Sequence, residues 1–424
     1  MRILLVNKFY YRKGGGEVYL FDLISALQEH GHEVIPFAMR HEQNLASDYA
    51  SFFVDTVDYN QPDSWYVNLC KASRILYSRQ AKIRITALLD QARPDLVHLF
   101  NVYHQISPSV LPVLKRQKLP VIMTLHDLKL LCPNYKMRTQ GTVCERCKPR
   151  RFYQAVVHRC IKDSVLASIV CAAELYLHRY TGVYETNVDT FITTSRFYQQ
   201  KMIEWGIPEK QLVCIPNFVH ANRYAPVYGG DDYFLYFGRL SEEKGLFTLL
   251  KAMRRLQQGT LYIVGDGPLY EPLRQTIAEY RLKNVHLTGP KWNEELVSLI
   301  SRARFTVLPS EWYENCPIAL MESYAYGKPV LGANIGGIPE MIQHGETGLL
   351  FESYNVEDLA EKIRYLLTHD SVAAQMGRHA RSKVEREYHP ERHYAALAQV
   401  YREVLGKRTA IQGPETVPVK GRYR

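Results

Sequence analysis

The chain has 424 residues and a formal charge of +10, with 46% hydrophobic and 23% charged residues. That length exceeds what one hydrophobic core organises and suits two domains, and the composition excludes collagen, coiled coil and wholesale disorder. The positive balance admits phosphorylated substrates and anionic lipid as partners, while no zinc-finger, RRM or basic-helix pattern speaks for nucleic acid.

Residues 3–6 read as a buried strand. Gly14, Gly15, Gly16 and Glu17 then open a helix to about Glu29, with Leu20, Leu23, Ile24 and Leu27 at helical spacing. Gly31 ends it, and 33–37 is the next strand. Residues 41–75 are polar and rich in Tyr and Asp, and carry no assignable element. Strands at 96–99 and 121–125 flank a helix near 107–116. Such alternation specifies an α/β fold with a doubly wound parallel sheet, whose ligands bind at the carboxyl ends of the strands. The glycine run lies at that edge, although Gly14 to Tyr19 does not fit the dinucleotide fingerprint and a tight turn explains it equally well. His126 ends another strand at the same edge; alone, it reads as readily as a structural histidine. The first apolar run is too short for a signal peptide. The longest, 165–173, stops at Glu174, far below spanning length. A soluble cytoplasmic protein is expected, with its eight cysteines reduced.

Residues 217–230, with Pro226 and two glycines, read as a linker. A second α/β unit begins near Asp232. Strand 233–237 runs into G-R-L-S-E-E-K-G at 238–245, where Ser241 is placed to cap the following helix. Arg239 and Lys244 form a cationic pair there, or are ordinary surface residues. Strand 262–264 ends at Gly265, and strand 285–287 ends near Lys291. Helices fill 355–405, and the Gly-, Pro- and charge-rich tail, 406–424, is expected to be disordered. The domains are therefore 1–218 and 219–388, both Rossmann-like, with a cleft between them.

The densest stretch is 311–340, EWYENCPIALMESYAYGKPVLGANIGGIPE. Buried strands are expected on either side of its helix, at 305–308 and 329–332. Pro317 suits the first helical position with Cys316 as cap, and Gly327 closes the helix. The N–H groups of Ile318, Ala319 and Leu320, helped by the helix dipole, make an anion site. Glu314 before the helix and Glu322 within it are acceptors suited to sugar hydroxyls. By spacing alone, a surface helix with two solvated glutamates accounts for the same pattern.

Glu314 and Glu322 embedded in E-N-C-P-I-A-L-M-E, with G-G-I-P-E at 336–340 and H-G-E-T-G-L-L at 344–350, closely resemble the donor-binding signature of the retaining GT-B glycosyltransferases of family 4, glycosyl transferases group 1, of the bacterial surface-polysaccharide type. The resemblance runs from about residue 1 to 405. It implies a GT-B fold whose last helix, about 389–405, returns to the first domain. It implies transfer of a sugar from a nucleotide diphosphate, with uridine diphosphate the expected nucleotide, to a glycan or polyprenyl-linked acceptor. By resemblance Arg239 and Lys244 hold the diphosphate, Glu314 the sugar hydroxyls and Glu322 the ribose. His126 would stand near the transferred sugar, and Gly15 and Gly16 against the donor phosphates. Gly265 and Lys291 would lie at the edges that hold the base. No D-x-D pair occurs in the sequence, so catalysis needs no metal and cationic side chains take its place. A nucleotide-sugar epimerase, a non-catalytic partner subunit and a nicotinamide oxidoreductase are the alternatives; the missing dinucleotide fingerprint argues against the last.

Two further patterns stand outside that signature. Cys132, Cys144, Cys147 and Cys160 fall in one short segment, and Cys144 to Cys147 is a C-x2-C unit, so a structural zinc competes with unligated thiols. Lys148, Arg150, Arg151, Arg159 and Lys162 cluster around Phe152, Tyr153 and Val156. This is either a solvated helix face or a peripheral docking site for an anionic leaflet.

Overall fold

The structure is a computed structural model that describes residues 1–57, 59, 65–256 and 258–412. The first part of the chain forms β1 (Arg2–Val6), β2 (Glu33–Phe37), β3 (Leu96–Leu99) and β4 (Val121–Leu125), a small hairpin of β5 (Arg138–Thr139) and β6 (Thr142–Val143), then β7 (Thr190–Thr193) and β8 (Leu212–Cys214). A six-stranded sheet runs in the order β2-β1-β3-β4-β7-β8. All of its pairings are parallel. Its central strands are buried along their whole length, β3 and β4 without exception. That is the signature of a parallel sheet covered by helices on both faces, and it explains why these strands read as continuous apolar runs.

The second part supplies β9 (Tyr233–Phe237), β10 (Thr260–Val264), β11 (Val285–Gly289), β12 (Thr306–Leu308), β13 (Val330–Ala333) and β14 (Gly348–Phe351). They form a second six-stranded sheet, β11-β10-β9-β12-β13-β14. In its own chain order this is 3-2-1-4-5-6, with the switch point between β9 and β12, where a ligand crevice forms. Separate apolar clusters line the two sheets, one around Leu4, Val97 and Met123, the other around Phe234, Ile263 and Leu331.

The helix Pro390–Gln412 packs Leu397, Val400, Tyr401 and Val404 among Ile3, Leu5, Ile192 and Ile215 of the first sheet. Tyr401 Oη and His98 Nδ1 lie 2.8 Å apart, tying that helix to β3. It runs to Gln412, into the stretch expected to be a disordered tail; 413–424 lie outside the described residues.

Other expectations change in detail. The helix near 107–116 is a 3-10 turn, Pro108–Val110, followed by Leu111–Arg116, because Ser107 caps the turn and Pro112 enters the next one. Within 41–75 the chain makes a 3-10 turn at Ala50–Phe52 and a helix at Trp65–Leu76; 58 and 60–64 lie outside the described residues. The linker is not loose. Val219 and Ala221 are buried against Leu320 and Tyr324.

Candidate active site

The centre of the second sheet's edge is the helix Ile318–Ala325, with Pro317 as N-cap rather than first helical residue. Proline supplies no N–H, so the first donors belong to Ile318 and Ala319. The Leu320 N–H, expected to be free, is taken by the Pro317 carbonyl at 3.2 Å. The anion site is therefore the first turn's two outer amides. Across from that first turn is the start of the helix Gly15–Glu29 of the first sheet: a Cβ on Gly15 would lie 3.6 Å from Ile318 Cγ1. The carboxyl edge after β1 and the helix start after β12 thus form opposite walls of one cleft. Gly16 is the next residue of the same helix, where a Cβ would approach Asn101.

Lys244 and Glu314 meet in that cleft, Nζ to Oε1 at 2.6 Å, and Ser310 donates its hydroxyl to the same carboxylate oxygen at 2.9 Å. Lys244 also stands over the Trp312 ring. The two residues expected to hold different parts of a donor are each other's partner here. Arg239 is exposed at the end of β9, and Tyr236 donates its hydroxyl to the Arg239 carbonyl at 2.7 Å. The Arg239 guanidinium has no ion-pair partner among the described residues. Ser241 does not cap the following helix. Its hydroxyl bonds Glu243 at 2.7 Å, because Glu242–Lys244 is a 3-10 turn and the α-helix starts only at Leu246, after Gly245.

Gly238, Gly265 and Gly289 end three neighbouring strands. A Cβ on Gly265 would sit 1.9 Å from the Gly238 carbonyl oxygen, so glycine is required there by close backbone packing. Lys291 pairs with Glu295 at 3.2 Å, and no contact among the described residues brings it to the other site residues.

Glu322 lies one turn into the helix. Burial pushes its carboxyl up to about 7, with Asp22 of the first part adding to the rise. His126 follows β4. Its ring meets Tyr19 edge-on at 4.9 Å, its Nε2 is buried without a partner, and its carbonyl accepts from Asn315 Nδ2 at 2.9 Å. Burial, with His393 adding, holds the imidazole down to about 4, so it is neutral near pH 7 and acts as a hydrogen-bonding group rather than a charge.

Several contributors escape the sequence reading. Gly336 and Gly337 press against the Glu314 loop. A Cβ on Gly337 would lie 2.0 Å from the Asn315 carbonyl oxygen, and the Gly337 N–H bonds the Glu314 carbonyl at 2.7 Å. Glu340 of the same run accepts from the main-chain N–H groups of Arg196 and Phe197, at the start of a helix of the first part. Lys136 pairs with Glu243 at 3.0 Å, Arg138 with Glu242 and Glu311, and Glu145 accepts from the Tyr313 hydroxyl at 2.9 Å. The G-G-I-P-E run was the one visible signal; the rest join residues far apart in the chain.

The four cysteines line a common cavity. The only three ligand-bearing side chains among the described residues with ligand atoms within 4.8 Å of one another are instead His104, Cys171 and Glu174. That carboxylate is already paired with Lys129 at 2.8 Å. In the basic cluster Phe152 is fully buried, because it fills the first sheet's core, while Tyr153 is exposed. Among the described residues no helix is long and apolar enough to cross a membrane.

Both parts of the chain resemble known proteins. Residues 13–165 match the model of Glycosyltransferase Family 4, and 223–383 match Glycosyl transferases group 1. The sulfoquinovosyl transferase SQD2 of Arabidopsis thaliana is 26% identical over 72% of this chain and 56% of its own length. The amylovoran biosynthesis glycosyltransferase AmsK of Erwinia amylovora is 30% identical over 52% of this chain and 58% of its own. The aligned region thus spans little more than half the length of these relatives. The crystal structure of Anabaena HepE in complex with UDP and glucose superposes with a TM-score of 0.67 at 17% identity, covering 95% of this chain and all of that one. Two family models, one over part of the first sheet and one over the whole of the second, and a neighbour with the same fold, give one conclusion: the chain belongs to the retaining GT-B glycosyltransferases of family 4, group 1.

Proposed function

We propose that the protein transfers a glycosyl group from a nucleotide diphosphate sugar to a hydroxyl of a glycan or lipid-linked glycan, with retention and without a catalytic metal. The observation that carries this is the Lys244–Glu314 pair beside the first turn at Ile318, across from Gly15. Departure of a diphosphate from an oxocarbenium-like centre builds negative charge. Lys244, Arg239 and the Ile318 and Ala319 amides supply preorganised positive ends where that charge develops. Binding of a diphosphate gives Lys244 a second anion and frees an oxygen of Glu314 for sugar hydroxyls. Glu322, deprotonated on binding, accepts from the ribose, and neutral His126 offers its unpartnered Nε2 to the sugar. The leaving phosphate takes the acceptor proton on the same face, so no separate base is required. Uridine diphosphate is the favoured carrier, since the structural neighbour HepE holds UDP. Domains 1–218 and 219–388 are the acceptor and donor sides, the last helix completing the first.

The acceptor side carries a surface suited to a lipid-linked substrate. Val157, Leu166, Ile169 and Tyr180 are exposed, as are Arg150, Arg151 and Arg159. An apolar face rimmed by arginine docks on an anionic leaflet. Co-sedimentation with anionic vesicles, lost at high salt and absent with neutral vesicles, is the expected result; equal recovery on both refutes it.

The reaction is tested by incubating the protein with a panel of nucleotide diphosphate sugars and glycan acceptors in excess chelator, reading the anomeric configuration of the product by proton NMR. A retained linkage supports the assignment. An epimerised or free sugar formed without acceptor replaces it with the epimerase reading.

A further inference from the structure

The chain after β4 reaches Cys132, turns through the β5–β6 hairpin to Cys144 and Cys147, and returns through the helix Gln154–Val157 to Cys160. All four side chains line one cavity of about 10 Å³, walled also by Arg138 and Arg146. That is the space of a single water-sized sphere, and so of a single ion. Cys132 and Cys147 are buried and Cys144 and Cys160 half-buried, so the four thiols converge on one recess rather than on open solvent. No three of their sulfurs stand within 4.8 Å of one another in this structure, so an ion would draw them together.

We propose that Cys132, Cys144, Cys147 and Cys160 form a tetrahedral zinc site that staples residues 132–160 and fixes that segment's grip on the opposite wall of the cleft. Each Zn–S bond replaces a thiol proton, which leaves to solvent. The sulfurs close to about 3.8 Å from one another, as 2.3 Å bonds require. They leave their side-chain contacts with Asn134 (3.0 Å, from Cys132) and Thr139 (3.4 Å, from Cys160). Arg138 and Arg146 offset the double negative charge of a four-thiolate centre. The stapled segment carries Lys136, Arg138 and Glu145. Their partners Glu242, Glu243, Glu311 and Tyr313 lie in the two loops that present Lys244 and Glu314. The metal thus acts at a distance on the donor loops; this consequence rests on the proposed function, whereas the site itself does not.

The test uses the full chain expressed without a metal-binding tag. Elemental mass spectrometry is expected to find about one zinc per chain, released in step with thiol modification by a mercurial reagent. Cys144→Ser with Cys147→Ser is expected to bind below a tenth of that and to melt roughly 5 °C lower or more. If that variant does not fold, the wild-type stoichiometry decides alone. Wild-type protein without metal and with four titratable thiols in this segment overturns the proposal. So does iron in place of zinc, or a disulfide in a non-reduced peptide map. Zinc-replete protein that binds no nucleotide sugar leaves the site standing and refutes the proposed function; unchanged donor binding in the zinc-free variant refutes the link to the donor loops.

Discussion

The wall built by the second sheet places its proposed site residues in short runs of chain: Arg239 to Lys244 in one loop, Glu314 to Glu322 in the next. The wall built by the first sheet contributes single residues from scattered strands, Gly15 after β1 and His126 after β4, and reaches across with Lys136, Arg138 and Glu145. One wall holds charge; the other positions the loops that hold it. The buried Glu243 shows the dependence. Burial alone pushes its carboxyl up, but the Ser241 hydroxyl and Lys136, from the opposite wall, hold it down to about 2.

The comparison breaks most sharply at the charge-bearing wall. Lys244→Ala and Glu314→Gln are each expected to slow transfer roughly a hundredfold or more, the usual consequence of removing one preorganised charge stabiliser. Their melting temperatures should stay within a few degrees of wild type, measured by circular dichroism. Near-normal turnover in either would show that the pair is a structural ion pair only.

Gly337→Ala should cost about 1–3 kcal/mol of stability, as overpacking does, because its Cβ would strike the Asn315 carbonyl 2.0 Å away. Urea denaturation checks this, and kcat should fall with the displaced Glu314 loop.

Glu322 gives a pH signature. Its carboxyl is raised from 4.5 to about 7 on folding, so the folded state keeps a proton that the unfolded state loses. The stability this contributes is complete below about pH 4.5 and is lost as pH rises through about 7. Glu322→Gln mimics the protonated form. Relative to wild type it should gain on the order of 2 kcal/mol between about pH 5 and 8, read from denaturation midpoints. Parallel curves would place the carboxyl in water.

The smallest expected effect belongs to the positioning wall. Lys136→Ala should raise the donor KM about tenfold at most, some 1.4 kcal/mol, with kcat little changed, since the pair it breaks is only partly buried. A large fall in kcat instead would make Lys136 part of the charged machinery.

Most of the fold was legible because parallel strands buried on both faces appear as apolar runs, and glycines punctuate their ends. Glu314, Lys244 and the helix at Ile318 were legible because one loop or one helix turn sets their relations. What stayed hidden depends on packing between distant segments. Ser241 has the composition of a cap, but the 3-10 turn before Gly245 takes its hydroxyl to Glu243. The Leu320 amide looked free until the Pro317 carbonyl supplied its partner. Phe152 sits among arginines in sequence, yet the core claims it. Glu340, which caps a helix of the opposite wall, gave no local sign of doing so.

Binding of a nucleotide diphosphate sugar through Lys244, in the cleft between Gly15 and Ile318, is read out by ligand-dependent melting. A ligand present at about a hundred times its Kd stabilises the folded state by about 2.7 kcal/mol. Across uridine, guanosine, adenosine and thymidine diphosphate sugars, at least one should raise the melting temperature of the wild-type protein, and Lys244→Ala should abolish the rise. No shift with any donor, or an undiminished shift in Lys244→Ala, would leave Lys244 without a part in donor binding.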